Sequence, residues 1–103
     1  MDGLKVFWTL TAKRQRDHIF EYWNQKTKSK SYSTKLNLAI RERLELLKTQ
    51  PKIGKEIHSK SVRIISMGHY SIIYKVDQSN IIITLFWDNR QDPEKLLLFL
   101  RNK

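Results

Sequence analysis

The segment Ile81–Trp87, IIITLFW, limits the fold more than any other part of the chain. It is continuously apolar and opens on three β-branched residues, a composition that suits a strand. It does not alternate between apolar and polar residues, as a strand with one wet face would, so it reads as a central strand buried on both faces. Turn residues bracket it, Asp77-Gln78-Ser79-Asn80 before and Asp88-Asn89-Arg90-Gln91-Asp92 after.

The other elements arrange themselves around this strand. Leu4–Trp8 has strand character, and Thr9 or Thr11 can cap a helix that begins near Ala12, because a threonine hydroxyl accepts from an orphan amide of the first turn. From Ala12 to about Gln25 there is no Gly or Pro, and Ala12, Ile19, Tyr22 and Trp23 recur at helical spacing towards a core. Lys26–Thr34 is a polar, basic turn. A second helix follows from about Ser33 to Thr49 with the stripe Leu36, Ile40, Leu44, Leu47, and Pro51 and Gly54 stop it. After a basic connection, Pro51–Lys60, the periodicity changes. Ser61–Ser66 and Tyr70–Val76 read as strands joined through Met67-Gly68-His69, and Pro93 opens a short helix carrying Leu96, Leu97 and Phe99. The expected fold class is α+β: an N-terminal strand, a two-helix hairpin, mostly antiparallel strands of one twisted sheet and a short C-terminal helix. Neither hairpin nor sheet buries its apolar face alone, so residues 1–103 are expected to form a single domain.

Charge restricts the partners. The formal net charge is +10, with 14 Lys/Arg against 6 Asp/Glu in residues 1–60 and 6 against 4 in residues 61–103. Such a field attracts polyanions: nucleic acid, a ribosome surface or an acidic protein. There is no cysteine, which excludes a disulfide or a thiolate metal site. His18, His58 and His69 have no metal-ligand spacing with neighbouring acids, and the three glycines make no phosphate loop, so no cofactor is expected. The start does not read as a signal peptide and no apolar run is of membrane length, so the expected location is the cytoplasm, without a membrane partner.

Four motifs, in order, resemble the RelE/ParE toxin family along nearly the whole chain. They are Trp8-Thr9 before the first helix, a leucine with Pro-x-x-Gly at Leu47–Gly54, and a strand arginine followed by Gly-x-Tyr and apolar-Tyr-x-Val-Asp. These last are Arg63, Gly68-His69-Tyr70 and Ile73-Tyr74-Lys75-Val76-Asp77; the fourth motif is Trp87 followed by Arg90-Gln91-Asp92-Pro93-Glu94-Lys95-Leu96. The resemblance implies a growth-arresting toxin of a type II toxin–antitoxin pair. Its partner would be a cognate antitoxin, small, acidic and partly disordered when free, placed against the helical hairpin and the exposed sheet edge.

The family divides into two chemistries. One branch cuts messenger RNA on the ribosome, and the other binds DNA gyrase without catalytic residues. RNA cleavage needs an acid, a base and cations for the phosphorane charge. By the resemblance, Arg63 and Arg90 stand where the nuclease branch has basic residues, and His69 is a candidate acid or base near its unperturbed pKa of about 6.5. Lys52, Lys55, Tyr70 and Arg90 are candidates for binding RNA or another target. Against cleavage, Ser71 stands where RelE-like nucleases clamp phosphate with an arginine, and Leu96 stands near their C-terminal tyrosine. The expectation is therefore a gyrase inhibitor, with a metal-independent ribosome-dependent endoribonuclease as the alternative. A non-toxic basic RNA- or protein-binding module of the same fold is the second alternative. Arg90 can instead pair with Asp88, Asp92 or Glu94, and Tyr70 and Tyr74 can be packing residues of the sheet.

Overall fold

The computed structural model describes residues 4–57 and 62–101. His58, Lys60 and Ser61 lie outside the described residues, as does the side chain of Phe99. The element order is β1 (Lys5–Trp8), α1 (Leu10–Thr27), α2 (Ser31–Thr49), β2 (Lys55–Ile57), β3 (Val62–Met67), β4 (Tyr70–Asp77), β5 (Asn80–Asp88) and α3 (Pro93–Arg101). No helix among the described residues is long and apolar enough to cross a membrane.

The five strands form one sheet in the order β1-β5-β4-β3-β2. Three pairings are antiparallel, and β1 lies parallel to β5 with Val6 opposite Ile81 and Trp8 opposite Ile83. The sheet is thus mostly antiparallel, as the sequence pattern suggested, with one parallel pair that the pattern did not place. A helical hairpin separates β1 from β5 in the chain, and such a crossover is what a parallel pair requires. The basic connection also contains a strand that the pattern did not reveal. Short β2, with Lys55 and Glu56 exposed, has no apolar alternation to announce it.

The sheet is buried on both sides. On one face Ala12, Leu36, Ile40 and Leu47 of the hairpin pack on Tyr70, Ile72, Tyr74, Ile81, Ile83 and Phe86. On the other, Val62, Ile73, Leu85 and Trp87 are covered by Leu96 and Leu100 of α3. A register shift makes this division. Ile73 lies opposite Leu85 but Tyr74 opposite Ile83, so Thr84 is an extra residue that bulges from β5. The bulge is tied down from two directions: Thr84 Oγ1 donates to Ile73 O at 3.2 Å, and Thr9 Oγ1 donates to Thr84 O at 3.2 Å. Thr9 is also the N-cap of α1, accepting from Ala12 N at 3.1 Å. One threonine therefore sets where β1 ends, where α1 begins and where both meet β5.

Two aromatic side chains stand outside the core, of which Tyr22 was expected in it. Phe7 is 50% exposed and Tyr22 51% exposed. Val6 and Trp8 take the inward side of β1, which turns Phe7 outward. Tyr22 packs edge-on against Trp23 with centroids 5.3 Å apart, at the margin of the hairpin.

The Pro-x-x-Gly turn is a packing device. Tyr74 Oη donates to Pro51 O at 2.8 Å and accepts from Gly54 N at 2.9 Å. A Cβ at Gly54 would lie 2.5 Å from that hydroxyl oxygen and 2.8 Å from the ring, so only glycine fits. Gly54→Ala is expected to cost about 1–3 kcal/mol by overpacking. Tyr74→Phe, which strands a buried amide and a carbonyl, should lower Tm by at least about 4 °C. Thermal denaturation of both single variants and the double variant checks this: Gly54→Ala must cost less in the Tyr74→Phe background, and strict additivity would refute the contact.

Candidate functional site

The residues nominated by sequence fall at two ends of β4. At one end β4 begins beside the β3–β4 turn and the end of β5, which brings His69, Tyr70 and Arg90 together. At the other, Arg63 lies opposite Tyr74, near Lys52 and Lys55. Met67 pairs with Tyr70 and Arg63 with Tyr74, so the two groups are four residues apart along the ladder. At strand rise this is about 13 Å.

Arg63 is engaged in the fold. Its Nη1 donates to Lys52 O at 3.1 Å and to Gly54 O at 2.8 Å, and Nη2 lies 3.6 Å from Glu56 Oε2. It fastens the Pro51–Gly54 turn and β2 to β3. Lys52 and Lys55 are exposed beside it.

The other end forms an open cleft of about 320 Å³ between α1 and the end of β5, lined by His18, Tyr22, Trp23, Lys26, Tyr70, Arg90 and neighbours. At its base the buried Tyr70 hydroxyl gathers three donors: Trp23 Nε1 at 3.0 Å, Arg90 Nη2 at 3.3 Å and Tyr32 Oη at 3.4 Å. Arg90 is held by a fork, Nε to Asp88 Oδ1 and Nη2 to Asp88 Oδ2, both 2.9 Å. Its guanidinium also lies 5.9 Å from the Trp23 centroid and 5.7 Å from that of Tyr70. The Arg90 hydrogen bond holds the Asp88 carboxyl below the usual carboxylate range despite its partial burial. That contribution to stability is present above the ordinary carboxylate pKa and lost as pH falls through the lowered one. His69 is exposed in the turn, and its carbonyl accepts from Asn89 N at 2.7 Å.

Ser71, at the position of the missing clamp, donates to Asn89 Oδ1 at 2.7 Å, and Asn89 Nδ2 donates to Gly68 O at 3.3 Å. This position closes the β3–β4 turn onto the end of β5. Among the described residues no three of His, Asp and Glu gather as metal ligands. Sequence reasoning missed the parts played by Trp23, Tyr32 and Lys26. Trp23 carried a helical-spacing signal that read as core, and Tyr32 sat in a segment whose polarity read as turn, although α2 begins at Ser31.

Fold and site together define a small, basic α+β protein with an open cleft, whose two nominated arginines are engaged by their own neighbours while Lys52, Lys55 and His69 are exposed. Residues 6–93 match the family model described as ParE toxin of type II toxin-antitoxin system, parDE, and the chain belongs to that family. Among solved structures, a chain of the "Chromosomal ParDE TA system from P. aeruginosa" has a similar fold, with a TM-score of 0.69 at 18% identity. The match covers 82% of this chain and 95% of that one. A search of curated protein sequences finds no match.

The hydroxyl cluster gives a titration signature. Burial and the hydrogen bond to Tyr70 push the Tyr32 phenol up to about 12. The folded state then holds a proton that the unfolded state releases near the ordinary value of about 10. Its stabilising contribution is complete below pH 10 and is lost as pH rises through 12. Urea midpoints of the wild type and Tyr32→Phe, measured across this range, should converge as pH rises. A constant gap would mean that Tyr32 titrates as a free phenol.

Proposed function

We propose that this chain arrests growth by binding DNA gyrase and that an acidic antitoxin segment neutralises it. The observation that carries this reading is the separation and engagement of the two arginines. Arg63 fastens a turn to β3 opposite Tyr74, Arg90 is forked to Asp88 and bonded to Tyr70, and Tyr70 and Tyr74 stand about 13 Å apart along β4. A phosphate clamp for RNA cleavage needs cations that converge with free donors on one phosphorus. Membership of the ParE toxin family supports the same reading.

For the antitoxin, the favoured surface is the hairpin with the outer edge of β1. That edge is one of the two ends of the sheet, β2 being the other, and Phe7 and Leu10 are 50% and 61% exposed beside it. An unpaired strand edge with apolar neighbours is a template for an added strand, and the +10 charge speeds encounter with an acidic one.

Two measurements test the proposal. On induction of the chain alone, pulse labels should show DNA synthesis stopping before protein synthesis, with His69→Ala still poisonous. The purified protein should inhibit supercoiling by gyrase at near-stoichiometric ratios. If protein synthesis stops first and His69→Ala lowers ribosome-dependent cleavage by about 10²–10⁴, the protein is a ribonuclease and the gyrase reading is wrong. For the antitoxin surface, Phe7→Glu should remain toxic while escaping neutralisation in co-expression. Full neutralisation of that variant would move the docking site elsewhere.

A further inference from the structure

The tip of the helical hairpin carries three lysines, Lys28, Lys30 and Lys35, that neither the fold nor the cleft uses. Between Glu21 and Glu42 the sequence has no acidic residue and five basic ones, Lys26, Lys28, Lys30, Lys35 and Arg41. All five are exposed. The ammonium groups of Lys28, Lys30 and Lys35 form no hydrogen bond or ion pair among the described residues.

Two of these lysines stand where local stability favours other residues. Lys28 closes α1 at φ 57°, in the left-handed region that usually holds glycine or asparagine. Lys30 is the N-cap of α2 without a side-chain cap bond, where Ser, Thr, Asp or Asn is preferred. The first turn of α2 has no acidic residue to balance it, so the lysine adds to the positive end of the helix dipole. Helix formation does not explain this concentration of cations at an exposed turn, and a field of this sign attracts polyanions.

The chemistry around the tip narrows the polyanion. Single-stranded nucleic acid is held by bases stacked on free aromatic faces. Here Trp23 packs against Tyr32 at 4.6 Å with the rings tilted by 31°, and Lys26 Nζ lies 5.2 Å and Arg90 5.9 Å from its centroid. Base edges are read by Asn, Gln or Arg forks. Asn24 Oδ1 accepts from Ser33 and Gln25 donates to Glu21. An acidic peptide would want apolar anchors; Thr27–Ser31 offers none, and the exposed Tyr22 and Leu38 lie outside this turn, on α1 and α2. What remains is point charges on flexible stems, which suit phosphates at a helical surface.

We propose that the hairpin tip binds the phosphate backbone of double-stranded DNA without reading its sequence, through Lys28, Lys30 and Lys35. The inference stands on the charge of the tip and goes beyond the gyrase reading, which requires no contact with DNA.

The experiment is fluorescence anisotropy of the full chain with labelled duplexes of about 24 base pairs and two unrelated sequences, between about 50 and 200 mM KCl. Binding should be equal for both sequences, with Kd on the order of 10⁻⁶–10⁻⁴ M. The triple variant Lys28→Gln, Lys30→Gln, Lys35→Gln should weaken it at least about tenfold. It should also flatten the slope of log K against log salt by about 2–3, since each lost phosphate contact removes about 0.9. A second triple variant, Lys5→Gln, Lys13→Gln, Arg14→Gln, removes the same charge from the start of β1 and α1 and should change the slope by less than about 1. Lys30→Ser separates folding from binding, because a serine cap should raise Tm while DNA affinity falls. Equal losses in the two triple variants would mean a diffuse field and overturn the proposal. Tighter binding of single-stranded RNA through the same lysines would overturn the assignment to duplex DNA. Loss of duplex binding in the tip variant with gyrase inhibition intact would support the DNA contact and leave the gyrase reading standing separately.

Discussion

The structure depends on a strand that has no wet face. Ile81, Ile83 and Phe86 of β5 go to the hairpin side, and Leu85 and Trp87 go to the α3 side. Full burial of each large apolar side chain is worth about 1.5–3 kcal/mol, against about 0–1 kcal/mol for an exposed ion pair such as Lys48–Glu45. The two-sided burial therefore dominates and requires layers on both faces. The Thr84 bulge makes the division possible, because without the extra residue Leu85 would follow Ile81 and Ile83 to the hairpin side. The hydroxyl of Thr9 then keys the start of α1 to the same bulge, so the hairpin is aimed from β5 itself.

Two tyrosines on β4 hold what β5 has positioned. Tyr70 and Tyr74 face the same side of the sheet, four residues apart, and both are almost wholly buried. Burial of a phenol is tolerable only when its hydroxyl is partnered, and each uses that need as a joint. Tyr74 captures the turn after α2, and Arg63 clamps the same turn through carbonyl oxygens. Tyr70 captures α1, the start of α2 and the residues after β5 through Trp23, Tyr32 and Arg90. Residue types that suggest acid–base chemistry thereby serve as fasteners between elements remote in sequence.

How far the sequence revealed this follows from what each signal depends on. The stripe Leu36, Ile40, Leu47 was legible because helical burial repeats along one element, and the run Ile81–Trp87 was legible because burial on two faces abolishes alternation. The Thr9 cap could be proposed from local chemistry alone. The parallel placement of β1 could not, since it depends on where the hairpin carries the chain. Strand β2 was illegible because three residues, two of them exposed, hold their place through Arg63 and the ladder to β3. At the cleft, Arg90 and Tyr70 were visible as residue types. Their partnership with Trp23 and Tyr32 arises from contacts across 38–47 residues of chain, which no local pattern encodes.

The fold sorts the positive charges into two kinds. Arg63 and Arg90 point their planar forks at carbonyl oxygens, a carboxylate and a phenol, the use to which a guanidinium is suited. Arg63 is largely enclosed and Arg90, half exposed in the cleft, is fixed through Nε and Nη2; redirecting these donors would loosen a turn or the junction of α1 with the sheet. The lysines of the hairpin tip instead keep their donors in water and add to a field felt over roughly a Debye length, about 8–10 Å at ordinary salt. A phosphate clamp needs several cations that converge with free donors, and Arg63 and Arg90 are held at opposite ends of β4. Fixed charge without free donors maintains a shape, and free charge without fixed geometry accelerates encounter. Such a division suits the proposed mode of action by binding, with specificity in the surface that the first set holds in place and speed in the charge that the second leaves exposed.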